Sequence, residues 1–269
     1  MVQFMNDTFQ NGLEAGGMGS LQDQVVVVTG SSRGIGAAIA TTFAASGARV
    51  VVHGRDAEAL ESVRSRIAGN GGQVVAARAS LTDFQQVEAM REQVESQFGP
   101  VDILVANAGG SPIRPGPLEE ISEQDWHASV DANLTTTFLT IKSYLPGMKQ
   151  RGHGCIITMS SAAARRPTAA SPVAYAAAKA GIELLTSEVA LQAGPHGVRA
   201  NCIAPATILT ERNKQQIPPP VQQGLVDSHP IRRLGTPDDI AQAALFLATG
   251  NASWISGVVL DVAGGSVLV

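Results

Sequence analysis

Short runs of valine and isoleucine recur along this chain from Leu21 onward, and longer amphipathic stretches separate them. A short apolar run bounded by polar or glycine-rich segments is typical of a strand that is buried on both faces. The runs that fit this description are 25–28, 49–52, 73–75, 103–105, 155–157, 199–204 and 258–260. The pattern therefore predicts seven strands.

The stretches between these runs carry apolar residues three or four positions apart. Ile35, Ile39 and Phe43 form one such series, and another runs from Phe84 to Phe98. That spacing places the apolar side chains on one face of a helix. Buried strands that alternate with amphipathic helices predict a doubly wound parallel sheet with helices on both faces. No linker or change of composition divides residues 21–269, so we expect a single α/β domain.

Two segments depart from this alternation. Residues 1–20 are rich in glycine, asparagine and glutamine without a regular period, which indicates a loose N-terminal arm. The segment from about 207 to 234 includes three consecutive prolines and is too long for a passive connection. We predict that this irregular segment is a mobile lid over the substrate.

A glycine-rich loop follows the first predicted strand directly. It reads Thr29-Gly30-Ser31-Ser32-Arg33-Gly34-Ile35-Gly36 and leads into a helical period. Glycines at such a turn let a pyrophosphate approach the N–H groups of a helix N-terminus, where the helix dipole favours an anion. Glycine loops also serve as plain connections, but the position between the first strand and a helix favours a dinucleotide site.

Tyr175 and Lys179 form a second candidate for chemistry. They are four residues apart in an alanine-rich helical stretch, hence on one helix face about 6 Å apart along the axis. Reduction of a carbonyl by hydride leaves an oxygen that needs a proton, and a tyrosine with a pKa near 10 releases its proton with difficulty at neutral pH. An ammonium about 5 Å away stabilises a phenolate by roughly 3 kcal/mol, or about two pKa units. The alternative is an ordinary helix pair, which the scarcity of tyrosine and lysine in this chain disfavours.

These motifs, in this order, resemble those of the short-chain dehydrogenase/reductase family. The resemblance covers nearly the whole chain after Leu21 and includes the three residues between Gly30 and Gly34. It extends to Asn107-Ala108-Gly109, Asn133, Ser161, Tyr175 to Lys179, Pro205 and Gly264-Gly265. The stretch 234–257 is similar to bacterial 3-oxoacyl thioester reductases and related ketone reductases. The resemblance implies a Rossmann-type fold and hydride exchange between nicotinamide and a carbonyl or secondary alcohol.

The resemblance also implies roles for single residues. Tyr175 donates or accepts the proton, Lys179 also binds the nicotinamide ribose, and Ser161 hydrogen-bonds the substrate oxygen. Asn133 holds a water that relays protons. Ser160 is the alternative to Ser161. We prefer Ser161 because it lies 14 residues before Tyr175, close to the usual spacing in the family, whereas Ser160 is one residue further away. The residues expected to contact the cofactor are Gly30, Ser31, Ser32, Arg33, Gly34, Ile35, Gly36, Arg55, Ser80, Leu81, Asn107, Gly109, Tyr175, Lys179, Pro205, Ile208 and Thr210.

The residues after the second strand indicate which dinucleotide binds. An NAD enzyme of this family tends to carry a carboxylate there, which accepts from the ribose 2′-hydroxyl, but this chain has Gly54. We expect Arg33 and Arg55 to converge on the 2′-phosphate of NADPH. Asp56 is interpreted as a helix N-cap, because a helical segment follows it. NADPH is therefore the expected cofactor and NADH the less favoured one; two unrelated surface arginines are the alternative.

Charge and composition exclude other classes of function. A net charge of −4 without a long basic run argues against nucleic acid as a partner. No apolar run approaches the roughly 20 residues that span a bilayer, and no signal peptide is recognisable, so we expect no membrane partner and a cytoplasmic location. Cys155 and Cys202 are expected to be buried thiols. The histidines have no metal-ligand spacing, so no metal site is expected.

The sequence leaves the substrate and the assembly open. The lid carries apolar residues that would cover an apolar ketone or a thioester chain, and Arg165 and Arg166 are candidates for an anionic substrate group, with solvated loop arginines as the alternative. His196 stands where related acyl-carrier reductases have a basic residue, so docking of a carrier protein is left open. The apolar stretch 240–268 resembles a segment that pairs in relatives, which predicts a homodimer or homotetramer. The alternative to a working carbonyl reductase is a dinucleotide-sensing protein without turnover.

Overall fold

The computed structural model describes residues 20–169 and 171–268, so residues 1–19 of the predicted arm lie outside the described part. Its centre is a sheet of seven parallel strands in the order β3-β2-β1-β4-β5-β6-β7. The strands are β1 (Val25–Val28), β2 (Arg49–His53), β3 (Gln73–Ala77), β4 (Ile103–Ala106), β5 (Gly154–Met159), β6 (Val198–Pro205) and β7 (Val259–Val262). The prediction of a doubly wound parallel sheet is confirmed.

Helices cover both faces of this sheet. They are α1 (Gly34–Ala45), α2 (Ala57–Gly69), α3 (Phe84–Phe98), α4 (Glu123–Val130), α5 (Thr136–Arg151), α6 (Ala162–Arg165), α7 (Val173–Ala193), α8 (Glu211–Gln216), α9 (Pro219–Ser228) and α10 (Pro237–Ala248). A π-helical turn at Asp131–Thr135 joins α4 to α5, and 3-10 turns lie at Leu118–Glu120, Gly194–His196 and Gly250–Ala252.

Alternate residues of β1 point to opposite faces of the sheet, as a pleated strand requires. Val26 and Val28 belong to a core shared with α1, α2 and α10. Val25 and Val27 belong to a second core shared with α3, α5 and α7. The continuous valine run is thus explained by burial on both sides of the sheet.

The site of interest follows from the strand order. β1 has β2 on one side and β4 on the other. The strands β2 and β3 extend the sheet from β1 in one direction, and the strands from β4 to β7 extend it in the other, so the order reverses between β1 and β4. In such sheets a crevice opens beyond the carboxyl ends of the two strands where the order reverses, and ligands bind there. The glycine loop 29–36 follows β1 and residues 107–109 follow β4, so both predicted motifs lie at this crevice.

The segment 207–234 is more regular than predicted, because it contains α8 and α9. Pro218 is the N-cap of α9 and Pro219 its first helical residue. Proline lacks an N–H group and has a fixed φ, and neither property disturbs the first turn of a helix. The three prolines therefore begin a helix. A bridge between Ile208 and Gly235 brings the two ends of the segment together.

Two smaller expectations can be compared directly with the structure. Cys155 and Cys202 are free and buried, as predicted. Within residues 20–169 and 171–268, no helix combines the length and the apolar character needed to cross a membrane.

Candidate active site

The glycine loop packs too closely for larger residues. Gly30 and Gly34 have φ values of +63° and +56°, which favour glycine. A Cβ at Gly30 would lie 2.8 Å from Ala108 Cα, and a Cβ at Gly36 would collide with the carbonyl oxygen of Gly30. These glycines therefore bring the loop against the segment after β4 and leave its outer side open to a ligand.

The N-terminus of α1 fits a pyrophosphate. Arg33 is the N-cap, and its side chain makes no capping hydrogen bond, so it leaves the N–H groups of the first turn to other acceptors. Asn107 Nδ2 donates to the carbonyls of Thr29 at 2.9 Å and of Gly30 at 3.1 Å, which fixes the loop from behind. Oriented N–H donors at the positive end of a helix are what a dinucleotide pyrophosphate requires.

The sequence analysis expects Arg33 and Arg55 to converge on a phosphate, but in the structure Arg33 is paired with Asp56. Its guanidinium donates to Asp56 Oδ2 in an ion pair whose two side chains are 68% and 42% exposed. Asp56 is the N-cap of α2, as predicted, because its Oδ1 accepts from the Ala59 N–H at 3.1 Å. That N–H bond and then Arg33 lower the pKa of Asp56. A carboxylate thus competes with any phosphate for Arg33, which corrects the simple picture of two free arginines.

The other residues expected at the adenosine end are distributed around the same edge. Arg55 is exposed, Leu81 is buried and Ser80 is half-buried just beyond β3. Gly54 is more crowded than the sequence suggests, because a Cβ there would lie 2.9 Å from Ser32 Cβ. A carboxylate side chain at position 54 would therefore require Ser32 to move.

His53, at the end of β2, is a residue that the sequence reasoning missed. It is only 3% exposed, and its Nδ1 accepts the Gly30 N–H at 3.2 Å while its Nε2 lies 3.1 Å from the Ala79 carbonyl oxygen. The sequence analysis considered His53 only as a possible metal ligand. The signal that could have found it is its position at the carboxyl end of the strand next to β1, one residue before Gly54.

Asn133 lies in the π-helical turn between α4 and α5 and is fully buried. Its Nδ2 donates to the carbonyls of Gly110 at 2.9 Å and Ser129 at 2.8 Å, and its Oδ1 accepts the Gly110 N–H at 3.0 Å. A Cβ at Gly109 would lie 2.6 Å from Asn133 Oδ1 and 3.3 Å from Lys179 Nζ. The Asn133 amide therefore holds the segment after β4 next to Lys179, and π-turns of this kind often occur at functional sites.

Tyr175, Ser161 and Lys179 come together at the ends of β5 and α7. The Ser161 hydroxyl is near enough to the Tyr175 hydroxyl to lower its pKa, and its Oγ accepts the Ala163 N–H at 3.2 Å, which caps the short helix α6. Lys179 Nζ donates to the Met159 carbonyl at 2.7 Å and lies 5.7 Å from the centroid of the Tyr175 ring. The three side chains form one cluster beside the crevice.

The electrostatics of this cluster differ from the sequence expectation. Burial raises the pKa of Tyr175, and the nearby Ser161 hydroxyl only partly opposes this shift. Burial also lowers the pKa of Lys179 to about 8. The predicted lowering of the Tyr175 pKa by Lys179 is therefore wrong for the protein by itself. The physical reason is that both groups leave water, while the ammonium lies over the tyrosine ring and is hydrogen-bonded to Met159.

The rival Ser160 and the two loop arginines are bonded to other parts of the protein. Ser160 Oγ lies 2.7 Å from Glu183 Oε1 and 3.2 Å from the Lys179 carbonyl oxygen, so its hydroxyl is bonded within the protein. Arg165 lies 3.4 Å from a carboxylate oxygen of Glu183 and 3.4 Å from one of Asp261. Arg166 Nη1 donates to the carbonyl of Ser266 at 3.0 Å. Arg165 is thus paired with two carboxylates of the protein, which argues against its binding an anionic substrate group, whereas Arg166 is exposed and bonded to one backbone carbonyl.

The segment after β6 closes the crevice from the other side. Pro205 ends β6, Ile208 is buried, and Thr210 is the N-cap of α8. A Cβ at Gly34 would lie 3.2 Å from Thr210 Cγ2. The beginning of the predicted lid therefore lies directly over the glycine loop.

The site is one of backbone donors and hydroxyl groups. Within the two described ranges, no group of three or more histidine, cysteine, aspartate or glutamate side chains is placed to hold a metal ion. A glycine loop at the switch point of a doubly wound sheet, with a tyrosine, lysine and serine cluster at the neighbouring strand ends, defines a dinucleotide-dependent oxidoreductase.

Comparison with known proteins supports this class. Residues 30–266 match the family described as enoyl-(acyl carrier protein) reductase. The chain is 39% identical over 247 residues to 7alpha-hydroxysteroid dehydrogenase from Escherichia coli, covering 92% of this chain and 95% of that one. It is 32% identical over 250 residues to the Escherichia coli 3-oxoacyl-[acyl-carrier-protein] reductase FabG, covering 93% and 100%.

Solved structures agree with the sequence relatives. A 7alpha-hydroxysteroid dehydrogenase complexed with NADH and 7-oxo glycochenodeoxycholic acid has a TM-score of 0.88 at 39% identity, covering 93% of this chain and 96% of that one. A Brucella melitensis 3-oxoacyl-[acyl-carrier protein] reductase with bound NAD has a TM-score of 0.84 at 33% identity, with 92% of both chains covered. The chain belongs to the short-chain dehydrogenase/reductase family, whose members oxidise hydroxyl groups or reduce carbonyl groups with a nicotinamide dinucleotide.

Proposed function

We propose that this protein is an NADPH-dependent carbonyl reductase and alcohol dehydrogenase that acts on a ketone or 3-oxoacyl-type substrate, with Tyr175 as proton donor and acceptor. The observation that carries the proposal is the contact between Tyr175 and Ser161 above the buried Lys179. A hydroxyl pair of this kind at the edge of the crevice can bind one carbonyl oxygen from two sides. The substrate oxygen and the proton donor would then lie near the end of β5, on the same edge of the sheet as the glycine loop after β1.

The chain's residues divide the work of reduction between them. NADPH, when bound, supplies the hydride that is added to the carbonyl carbon. The Ser161 hydroxyl donates a hydrogen bond to the carbonyl oxygen and holds it beside the Tyr175 hydroxyl, which gives its proton to that oxygen. In this proposal Lys179, whose ammonium donates to the Met159 carbonyl, binds the nicotinamide ribose and supplies positive charge when Tyr175 loses its proton. In the reverse direction Tyr175 takes the proton back.

The raised pKa of Tyr175 suits the reductive direction. At neutral pH the hydroxyl remains protonated in the protein by itself, so it is ready to donate. Oxidation needs the phenolate, which a higher pH supplies. The protonated hydroxyl is the form that carbonyl reduction requires.

The preference for NADPH rests on the two arginines and on Gly54. Arg55 is exposed and Arg33 needs only to leave an exposed ion pair with Asp56, and exposed pairs are weak. A guanidinium gains more from a doubly charged 2′-phosphate than from one carboxylate. Two relatives have NAD or NADH in their structures, so the proposed NADPH preference would distinguish this chain from them.

The activity is tested by following NADPH oxidation with ketones, diketones, β-keto esters, oxo-steroids and 3-oxoacyl thioesters, each repeated with NADH. The proposal expects turnover with at least one class and a higher kcat/KM with NADPH. Tight NADPH binding without turnover on any of them would favour the dinucleotide-sensing alternative. A higher kcat/KM with NADH would overturn the cofactor assignment while leaving the reductase assignment in place.

Assembly, lid and location are further parts of the proposal. Trp254 is 98% exposed and Phe246 is 45% exposed within the stretch 240–268, and Leu184 and Leu191 are exposed on α7. Apolar side chains on two faces support a homo-oligomer, with a tetramer if both faces pair. Light scattering that gave a monomer mass at micromolar concentration would contradict this. We also propose that segment 207–234 covers the bound substrate. A cytoplasmic location is the last part of the proposal, and cell fractionation tests it.

A further inference from the structure

His53 connects the glycine loop to the end of β3. Its ring receives the Gly30 N–H at Nδ1, at 3.2 Å, and approaches the Ala79 carbonyl oxygen with Nε2, at 3.1 Å. Its backbone also pairs with Ser31, because the His53 N–H donates to Ser31 Oγ and the Ser31 N–H donates to the His53 carbonyl, both at 2.8 Å. One buried residue therefore contacts both sides of the adenosine end of the crevice.

These contacts determine the state of the imidazole. The Gly30 N–H can only donate, so Nδ1 must be unprotonated. The Ala79 carbonyl can only accept, so Nε2 must carry the hydrogen. Only the neutral Nε2–H tautomer satisfies both partners. A proton on Nδ1 would face the Gly30 N–H and remove that hydrogen bond.

The two segments joined by the ring are those assigned to the dinucleotide. Gly30 opens the loop that faces the pyrophosphate and has a φ of +63°, which glycine adopts readily; because glycine is also free to adopt other conformations, the hydrogen bond to His53 helps to fix the loop. Ala79 directly precedes Ser80 and Leu81, the residues expected beside the adenine. The imidazole therefore sets the distance between the loop for the pyrophosphate and the segment for the adenine.

We propose that His53 is a positioning residue for the dinucleotide: as the neutral Nε2–H tautomer it holds the glycine loop and the Ser80–Leu81 segment at the spacing that binding requires, and its protonation releases the loop. The proposal rests on the assignment of this crevice to a dinucleotide. It does not depend on Tyr175 or on the choice between NADPH and NADH.

The surroundings of the ring keep it neutral at ordinary pH. Burial is the main cause that lowers the pKa of His53, the Ala79 carbonyl opposes it, and the positive charge of Arg55 lowers the pKa further. Arg55 comes from the segment after β2, whereas the glycine loop and the segment after β3 face the ring with the uncharged Gly30 N–H and Ala79 carbonyl. Protonation of His53 is therefore expected only on the acidic side of the usual histidine range.

Three variants separate the two contacts. His53→Asn places an amide oxygen near the position of Nδ1 and keeps an acceptor for Gly30, whereas His53→Gln places an amide N–H near the position of Nε2 and keeps a donor for Ala79. His53→Leu removes both. His196→Leu is the matched control, because His196 is exposed.

NAD⁺ is the binding probe, because its pyrophosphate diester does not titrate between about pH 5 and pH 7.5. We expect His53→Leu to weaken NAD⁺ binding about tenfold or more at neutral pH, as measured by calorimetry. His53→Asn and His53→Gln each keep one of the two hydrogen bonds, so they should lose less NAD⁺ affinity than His53→Leu does. Wild-type affinity should fall as the pH is lowered from about 7 to 5, and the pH dependence should be lost in His53→Leu. If the wild-type protein reduces a substrate, His53→Leu should have a higher KM for the dinucleotide, while its kcat at saturation should stay within about twofold of the wild-type value.

The tautomer itself is measured on the wild-type protein by ¹⁵N NMR of the imidazole, so the test survives even if a variant fails to fold. An Nδ1–H tautomer or a charged ring at neutral pH would overturn the proposal, as would a folded His53→Leu protein that binds NAD⁺ as tightly as wild type. A wild type that binds NAD⁺ but reduces no carbonyl would defeat the proposed activity and leave the role of His53 standing.

Discussion

The two ends of the candidate cofactor site are built in opposite ways. At the catalytic end Lys179 is 4% exposed, whereas at the adenosine end the side chain of Arg33 is 68% exposed. A buried polar group that loses its partner cannot regain it from water, while an exposed ion pair is easily exchanged for another. We therefore expect changes at the buried end to act on the rate in large steps and changes at the exposed end to act on affinity in graded ones.

The largest effect is expected at Tyr175. Tyr175→Phe removes the hydroxyl that donates the proton, so kcat should fall by about a thousandfold or more while NADPH affinity stays within about threefold. Steady-state kinetics and NADPH fluorescence titration measure the two quantities. Tyr144→Phe is the control, because the buried Tyr144 hydroxyl has no hydrogen-bond partner within the described residues. A Tyr175→Phe enzyme that kept a tenth of the wild-type activity would contradict the role of Tyr175 as proton donor.

Arg33 and Arg55 come next. Removing either one should weaken NADPH binding about 10- to 150-fold, the range for hydrogen bonds to charged groups, and should leave NADH binding nearly unchanged. Dissociation constants for both cofactors in Arg33→Ala and Arg55→Ala measure this. Arg64→Ala, on α2 and paired with Glu61, controls for the loss of a surface charge. Equal losses for NADPH and NADH would show that the arginines do not recognise the 2′-phosphate.

The pH dependence separates the two directions of the reaction. Because burial raises the pKa of Tyr175, its protonated form persists on the alkaline side, and the reduction rate should stay level from neutral pH until Lys179, whose pKa is about 8, loses its charge. Oxidation requires the phenolate, so its rate should rise with pH by up to about tenfold per unit below that pKa. Initial rates in both directions over one pH series test this. An oxidation rate that is already level at neutral pH would mean that Tyr175 ionises more easily than its burial implies.

The smallest effect is expected at Asp56. Asp56→Asn keeps an acceptor for the Ala59 N–H and so keeps the cap of α2, but it removes the charge that holds Arg33. NADPH affinity should improve about two- to fivefold, since only an exposed ion pair is lost. The comparison of NADPH and NADH dissociation constants with wild type measures it. Unchanged NADPH affinity would indicate that Asp56 does not compete with the phosphate.

The sequence predicts best what depends on local pattern. The valine runs and the glycine loop specify strand, turn and helix within a few neighbouring residues, and the strands lie where the pattern places them. Long-range contacts are different. Arg33 pairs with a carboxylate 23 residues away, and Arg165 pairs with carboxylates 18 and 96 residues away. The His53 ring contacts backbone groups 23 and 26 residues away. Such contacts depend on the packing of whole elements, and so does the raised pKa of Tyr175. These are the points at which the sequence interpretation was incomplete or wrong.

The transfer of hydrogen from the cofactor to the substrate tests the central claim most directly. NADPH carrying deuterium at the transferable nicotinamide position would be given to the wild-type protein with the fastest carbonyl compound of the substrate panel, and the product alcohol would be examined by mass spectrometry. The account predicts one deuterium on the carbinol carbon, formed at least about a thousandfold more slowly by Tyr175→Phe. A product without deuterium, or equal rates of labelling by the two proteins, would contradict it.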